Sequence, residues 1–145
     1  MTWKEYAGRG AFDWNRALTY WRKLPCEAFE PELQDEVLSC VAQMASTSDD
    51  WQAAIDGNAA ASIGLVLELR TPGVITASVD LTMTLLLRSA FEDAGAAMML
   101  STSLQQMPLP PIDRARLSAS WRMHNIYLAW CSRRKASADR SRLRR

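Results

Sequence analysis

Chemistry-bearing side chains are scarce in this chain. It holds one histidine, His124, and three cysteines, Cys26, Cys40 and Cys131. The cysteines are odd in number, far apart and without a CxxC pair, so they read as small apolar core residues rather than as a zinc knuckle or redox couple. A metal centre would have to be assembled in space from Cys26, Cys40, Cys131 and His124, and neither a metal nor another cofactor is expected. No GxSxG, HExxH or GxxxxGK[ST] pattern occurs, and no glycine-rich turn joins a strand to a helix. Asp49-Asp50 and Glu92-Asp93 are adjacent carboxylates, but sequence neighbours point to different sides of a helix and suit capping or surface roles. His124 falls on an apolar stripe, where a packed, hydrogen-bonded ring is the expectation. An enzyme is not expected.

Long apolar runs are missing too. Even Val79–Leu100, the most apolar stretch, carries Asp80, Arg88, Glu92 and Asp93, so no membrane span is expected. The first residues, MTWKEYAGRGAFDW, lack the apolar segment of a secretory signal, which makes a cytoplasmic setting the expectation.

What is present is a domain's worth of ordinary globular sequence. With 145 residues, 48% of them apolar and 23% charged, one core can form without disulfide or metal staples. The apolar spacing is helical. Asp13 offers an N-cap for a helix over Trp14–Leu24, with Trp14, Ala17, Leu18 and Trp21 on one face and Pro25 beyond its end. Pro31 sits in the first turn of a second helix, striped by Leu33, Val37, Cys40, Val41 and Met44. Ser48 caps a short third helix through Trp51 and Ile55, which Gly57-Asn58 stops.

Ala59–Arg70 predicts a fourth helix on its alanines and on Ala60, Ile63 and Leu67. A hairpin through Val74-Ile75-Thr76 is the alternative, but nothing else in the chain would complete a sheet. Val79–Met107 predicts one long central helix, capped by Ser78 or Asp80, with apolar residues at Val79, Met83, Leu86, Leu87, Ala90, Phe91, Ala94 and Met98; Gly95 is a soft point in its middle and Ser101-Thr102-Ser103 a late one. After Pro108-Leu109-Pro110-Pro111, a last helix over Ile112–Cys131 places Leu117, Trp121, His124, Leu128 and Cys131 on one face, widened by Ile126, Tyr127 and Trp130. The predicted fold is an all-α single domain (residues 1–132), a bundle of five or six helices around that central helix, followed by a basic, disordered tail (133–145).

Charge is divided unevenly. Arg133, Arg134, Lys135, Arg140, Arg142, Arg144 and Arg145 against Asp139 give the tail +6, so a total of +1 leaves −5 on the first 132 residues. Arginine in that number suits phosphate or carboxylate, which makes the tail a candidate site for nucleic acid or an acidic protein surface. Six tryptophans are many for this length, and indoles are enriched at binding hot spots. Trp3 and Trp130 are the expected exposed anchors. Met98 and Met99 are the part of the central stretch most suited to a protein interface.

Phe91, Gly95 and Leu104 loosely fit the spacing of a helix-turn-helix. Its recognition helix, Ser101–Met107, would contain no Arg or Lys to touch bases or phosphates. The expected function is therefore that of a non-catalytic protein-interaction module, such as a small helical adaptor, assembly subunit or inhibitor. Its basic tail would contact an acidic or nucleic-acid partner. The alternative is a DNA-binding transcriptional regulator with a degenerate helix-turn-helix.

Overall fold

The computed structural model describes residues 14–70 and 72–143, so Trp3, Thr71, Arg144 and Arg145 lie outside it. Among the described residues the elements are α1 (Trp14–Ala17), 3-10 turns at Tyr20–Arg22 and Cys26–Ala28, α2 (Pro31–Ala42), α3 (Asp49–Ile55), α4 (Ala59–Glu68), α5 (Ala77–Ala90), α6 (Ala94–Gln106) and α7 (Pro111–Leu143), with no strand. The all-helical class holds. The hairpin alternative does not, because α4 occupies most of its first half.

Local chemistry fixes most of these boundaries. Pro31 opens α2, where its missing N–H costs nothing. Ser48 accepts the Trp51 N–H at the start of α3 (3.3 Å), and Asn58 accepts the Ala61 N–H at the start of α4 (3.0 Å). Between those helices Gly57 takes a left-handed φ of +101°, directly under the Arg88 guanidinium.

Two expected helices are interrupted. The helix expected over Trp14–Leu24 is only α1 followed by a 3-10 turn. Thr19 Oγ1 donates to the Arg16 carbonyl (2.8 Å), a local bond that competes with helix propagation. The long central helix is two helices, which raises the count to seven among the described residues. Asp93 turns the chain by accepting the Ala96 N–H (2.8 Å) as the N-cap of α6, and Phe91-Glu92 form the corner. Nor do Ser78 or Asp80 cap α5; Thr76 does so, accepting the Val79 N–H.

The centre of the bundle is thus α5 alone. It packs against α2, α3, α4, α6 and the first 3-10 turn. Met83, Leu85, Leu86, Leu87 and Ala90 are fully buried in it. Asp80, in its first turn, accepts from Trp21 Nε1 (2.9 Å) and from Arg22 Nε (3.0 Å) and Nη2 (3.3 Å). This tethers the N-terminal 3-10 turn to the core helix. Polar residues inside the core are bonded: Ser62 Oγ reaches the Leu85 carbonyl and Ser89 Oγ, and Thr84 Oγ1 donates to the Asp80 carbonyl.

An aromatic group closes the other side of the core. Phe29 and Phe91 are 5.2 Å apart by ring centroid, and each lies about 6 Å from Trp121. The Trp121 indole N–H is buried there without a hydrogen-bond partner.

Candidate functional site

α7 is where the fold and the chemistry diverge. Its 33 residues make a rod about 50 Å long. It runs antiparallel to α6, to which Ser101 and Ser118 lock it: each hydroxyl donates to the other's carbonyl, at 2.8 and 2.9 Å. Small side chains at both positions let the two backbones approach. Farther along, Asn125 Nδ2 donates to the Ala94 carbonyl (2.7 Å), and His124 Nε2 donates to the Phe91 carbonyl (3.0 Å), satisfying a carbonyl at the end of α5. His124 is therefore held by the corner between α5 and α6, as a bonded boundary residue.

Because α6 begins at Ala94, opposite Asn125, α7 has no α6 beside it beyond that level. Every residue from Ser132 to Leu143 is exposed. The helix nevertheless continues to Leu143, where the sequence predicts a disordered tail from residue 133. The segment 132–143 contains neither Gly nor Pro, adding turns to an established helix avoids the cost of nucleation, and Arg140 and Arg142 in the last turn complement the helix dipole.

Only one face of this rod is used. Leu117, Ser118 and Trp121 are buried, with His124, Leu128 and Cys131 half-buried on the same side. Ile126, Tyr127 and Trp130 do not widen that face, as the sequence suggests they would. With Met123 they form a separate stripe at helical spacing. Exposure is 65% for Met123, 52% for Ile126, 58% for Tyr127 and 48% for Trp130. Those values decide the matter, since core residues such as Met83, Tyr20 and Trp121 are at 3% or less. From the sequence, two stripes on neighbouring sectors of a helix look like one broad face.

The stripe is ordered by its neighbours. Arg134 lies over the Trp130 ring, 4.9 Å from its centroid, and His124 stacks on Tyr127 at 6.2 Å. A hydrogen bond with Cys131 raises the Tyr127 hydroxyl above its ordinary pKa. Arg122, Arg133, Lys135, Arg140 and Arg142 are exposed along the same helix. Residues 111–145 carry ten basic and two acidic side chains, or +8, so against the total of +1 residues 1–110 carry −7. The polarity is steeper than a division at residue 133 suggests.

The remaining sequence-predicted residues are dispersed. Met98 is exposed on α6, whereas Met99 is half-buried and lines a cavity of 210 Å³ with Val66, Arg70 and Gln106. A larger concavity of 470 Å³ lies among Met44, Trp51, Ser78 and Leu81. Neither contains a histidine or a carboxylate. Among the described residues no three His, Cys, Asp or Glu side chains gather as a metal site would require. Burial, aided at Cys26 by Glu27, pushes the Cys26 thiol up to about 11, and burial pushes Cys40 up to about 12. Both are thus neutral thiols at physiological pH.

The helix from Ala94 to Gln106 runs unbroken through Ser101–Ser103, so Gly95 and nearly all of the Ser101–Met107 stretch lie in one helix, with Ser101, Ser103 and Leu104 buried. No described helix is long and apolar enough to cross a membrane. Comparison with protein-family models, curated proteins and solved structures found no match to this chain.

Proposed function

We propose that this chain is a non-catalytic protein-interaction module, and that α7 is its docking element. One observation carries the reading: α7 is apolar on two faces and the bundle covers only one. Exposed Leu or Ile residues scattered singly are common on any protein. Here four large apolar side chains form one contiguous stripe, Met123, Ile126, Tyr127 and Trp130, bounded by arginines. Such a strip matches a groove or helix face that is apolar along its middle and acidic at its border. Trp130 and Tyr127 are the anchors, and Arg133, Arg134 and Lys135 give approach speed and register. Nucleic acid would reward the arginines but leave Met123 and Ile126 in water.

The test is capture from the native cell with wild-type protein and with an Ile126→Ser/Trp130→Ala variant, each with and without nuclease. The expected result is a nuclease-insensitive complex that the variant loses at unchanged helical content and melting temperature. Identical capture by both proteins, or capture abolished by nuclease, would refute the reading.

A further inference from the structure

The rod has an electrostatic and geometric complement within the same chain, on the outer face of α2. Pro31, Glu32, Asp35, Leu38, Ser39 and Ala42 are its exposed residues, with Leu38 42% exposed, and they recur at helical spacing along one side. That face is apolar or small at its C-terminal end and acidic at its N-terminal end. The stripe of α7 has the matching order reversed, running from Met123 and Ile126 to Arg133 and Arg134.

We infer that α7 of one copy docks antiparallel on α2 of a second copy. In that register Ala42 faces Met123, Ser39 faces Ile126, Leu38 faces Tyr127, Asp35 faces Trp130 and Glu32 faces Arg133. The small Ala42 and Ser39 receive Met123 and Ile126, Leu38 meets Tyr127, and the Glu32 carboxylate meets the Arg133 guanidinium, with Asp35 one turn along on the same acidic end. The inference rests on the reading of α7 as a docking element and supplies its partner. Within one copy the pairing is not made: α7 is a single unbroken helix, and its stripe and the face of α2 are both exposed.

Charge favours a second copy over other occupants. Residues 1–110 at −7 repel nucleic acid and anionic membranes, whereas the +8 of residues 111–145 attracts another copy's acidic body. Area points the same way. Met123, Ile126, Tyr127 and Trp130 expose on the order of 500 Å² per copy, and reciprocal docking about a two-fold axis would hide well over the ~1,000 Å² that a specific interface needs.

Sedimentation velocity of the full chain at tens of micromolar tests this, using wild type, Ile126→Ser/Trp130→Ala, Arg133→Glu/Arg134→Glu and Glu32→Lys/Asp35→Lys. Wild type is expected at twice the monomer mass at low salt, with at least tenfold weaker association in about 0.5 M salt. Each variant alone is expected as monomer. Mixing the two charge-reversal variants is expected to restore the doubled mass, because each reversed rod then meets a complementary body. A monomeric wild type overturns the inference, as does a dimer indifferent to both charge reversals. A monomer that binds a single-stranded oligonucleotide or anionic vesicles through the stripe, or that dimerises only after deletion of residues 1–13, overturns it too. If wild type is monomeric yet the Trp130 variant still loses a captured partner, the second-copy inference fails while α7 remains a docking element. Loss of neither refutes both.

Discussion

Replacing Asp80 by Ala should cost more than almost any other single change at a partly exposed position. The carboxylate accepts three hydrogen bonds from the N-terminal 3-10 turn: one from Trp21 Nε1 and two from Arg22. Bonds to a charged acceptor contribute roughly 1.5–3 kcal/mol each when well enclosed. The Arg22 pair is worth less, since the two side chains are 27% and 15% exposed and water replaces part of the loss. The Trp21 indole has no such remedy: the residue is fully buried, and its orphaned N–H carries a desolvation penalty of about 1–3 kcal/mol. A carboxylate in the first turn of α5 also gains a few tenths of a kcal/mol or more from the helix dipole.

Together these give about 3 kcal/mol, a large part of the ~5–15 kcal/mol expected for a domain of this size. With a urea slope of about 2 kcal/mol/M, the unfolding midpoint should fall by about 1.5 M without a change of slope. In a Trp21→Phe background the same replacement should cost at least ~1 kcal/mol less, because the indole donor is already gone. A loss below about 1 kcal/mol in the wild-type background, or strict additivity in the cycle, would refute the assignment of Asp80 as the tether.

Other expectations follow from single contacts. Gly57→Ala should lower stability by about 2 kcal/mol, or ~6 °C in Tm, because alanine disfavours φ +101° and its methyl would collide with the Arg88 guanidinium. An unchanged melting curve would contradict that geometry. Trp121→Phe should lie within about 1 kcal/mol of wild type, since removing the unpartnered indole N–H offsets the cavity left behind, whereas Trp121→Ala should cost ~3–5 kcal/mol. Equal losses in chemical denaturation would show that the N–H carries no penalty. For the thiols, folding raises the pKa of Cys26 to about 11 and of Cys40 to about 12 from the ordinary 9. A raised pKa contributes stability that is full below pH 9 and is lost as pH climbs toward 11–12, because the unfolded thiol ionises first. Stability should therefore fall in that alkaline window, and by less in Cys40→Ala. A Cys40→Ala curve parallel to wild type throughout would contradict the burial argument.

The sequence is most legible where a local chemical signal coincides with an apolar stripe. Pro31 with Val37, Cys40 and Val41 defines α2, and Ser48 ahead of Trp51 defines α3. The break between α5 and α6 is hidden because Ala90, Phe91, Ala94 and Met98 keep helical spacing straight across the corner. The available signals are Asp93, three residues before Ala96 at N-cap spacing, and Gly95 between them, a weak helix former. The basic end of α7 misleads for a different reason: low hydropathy argues against a packed element, yet a helix already nucleated by Leu117 and Trp121 can run on without packing. His124 is legible as a bonded boundary residue, but its partner, the Phe91 carbonyl, depends on the hidden corner. The candidate site is half legible. Trp130 stands out by type, whereas the separation of its stripe from the Leu117–Trp121 face depends on where α6 starts.

On the proposed function, a partner covers the Met123–Trp130 stripe in the cell. Photo-crosslinking tests this most directly, with benzoylphenylalanine replacing Met123, Ile126 or Ala136 one at a time in the full chain. The expected result is a discrete product from positions 123 and 126 and none from 136, which lies off the stripe and beyond the proposed contact. No product from 123 and 126, or an equal smear from all three positions, would contradict the account.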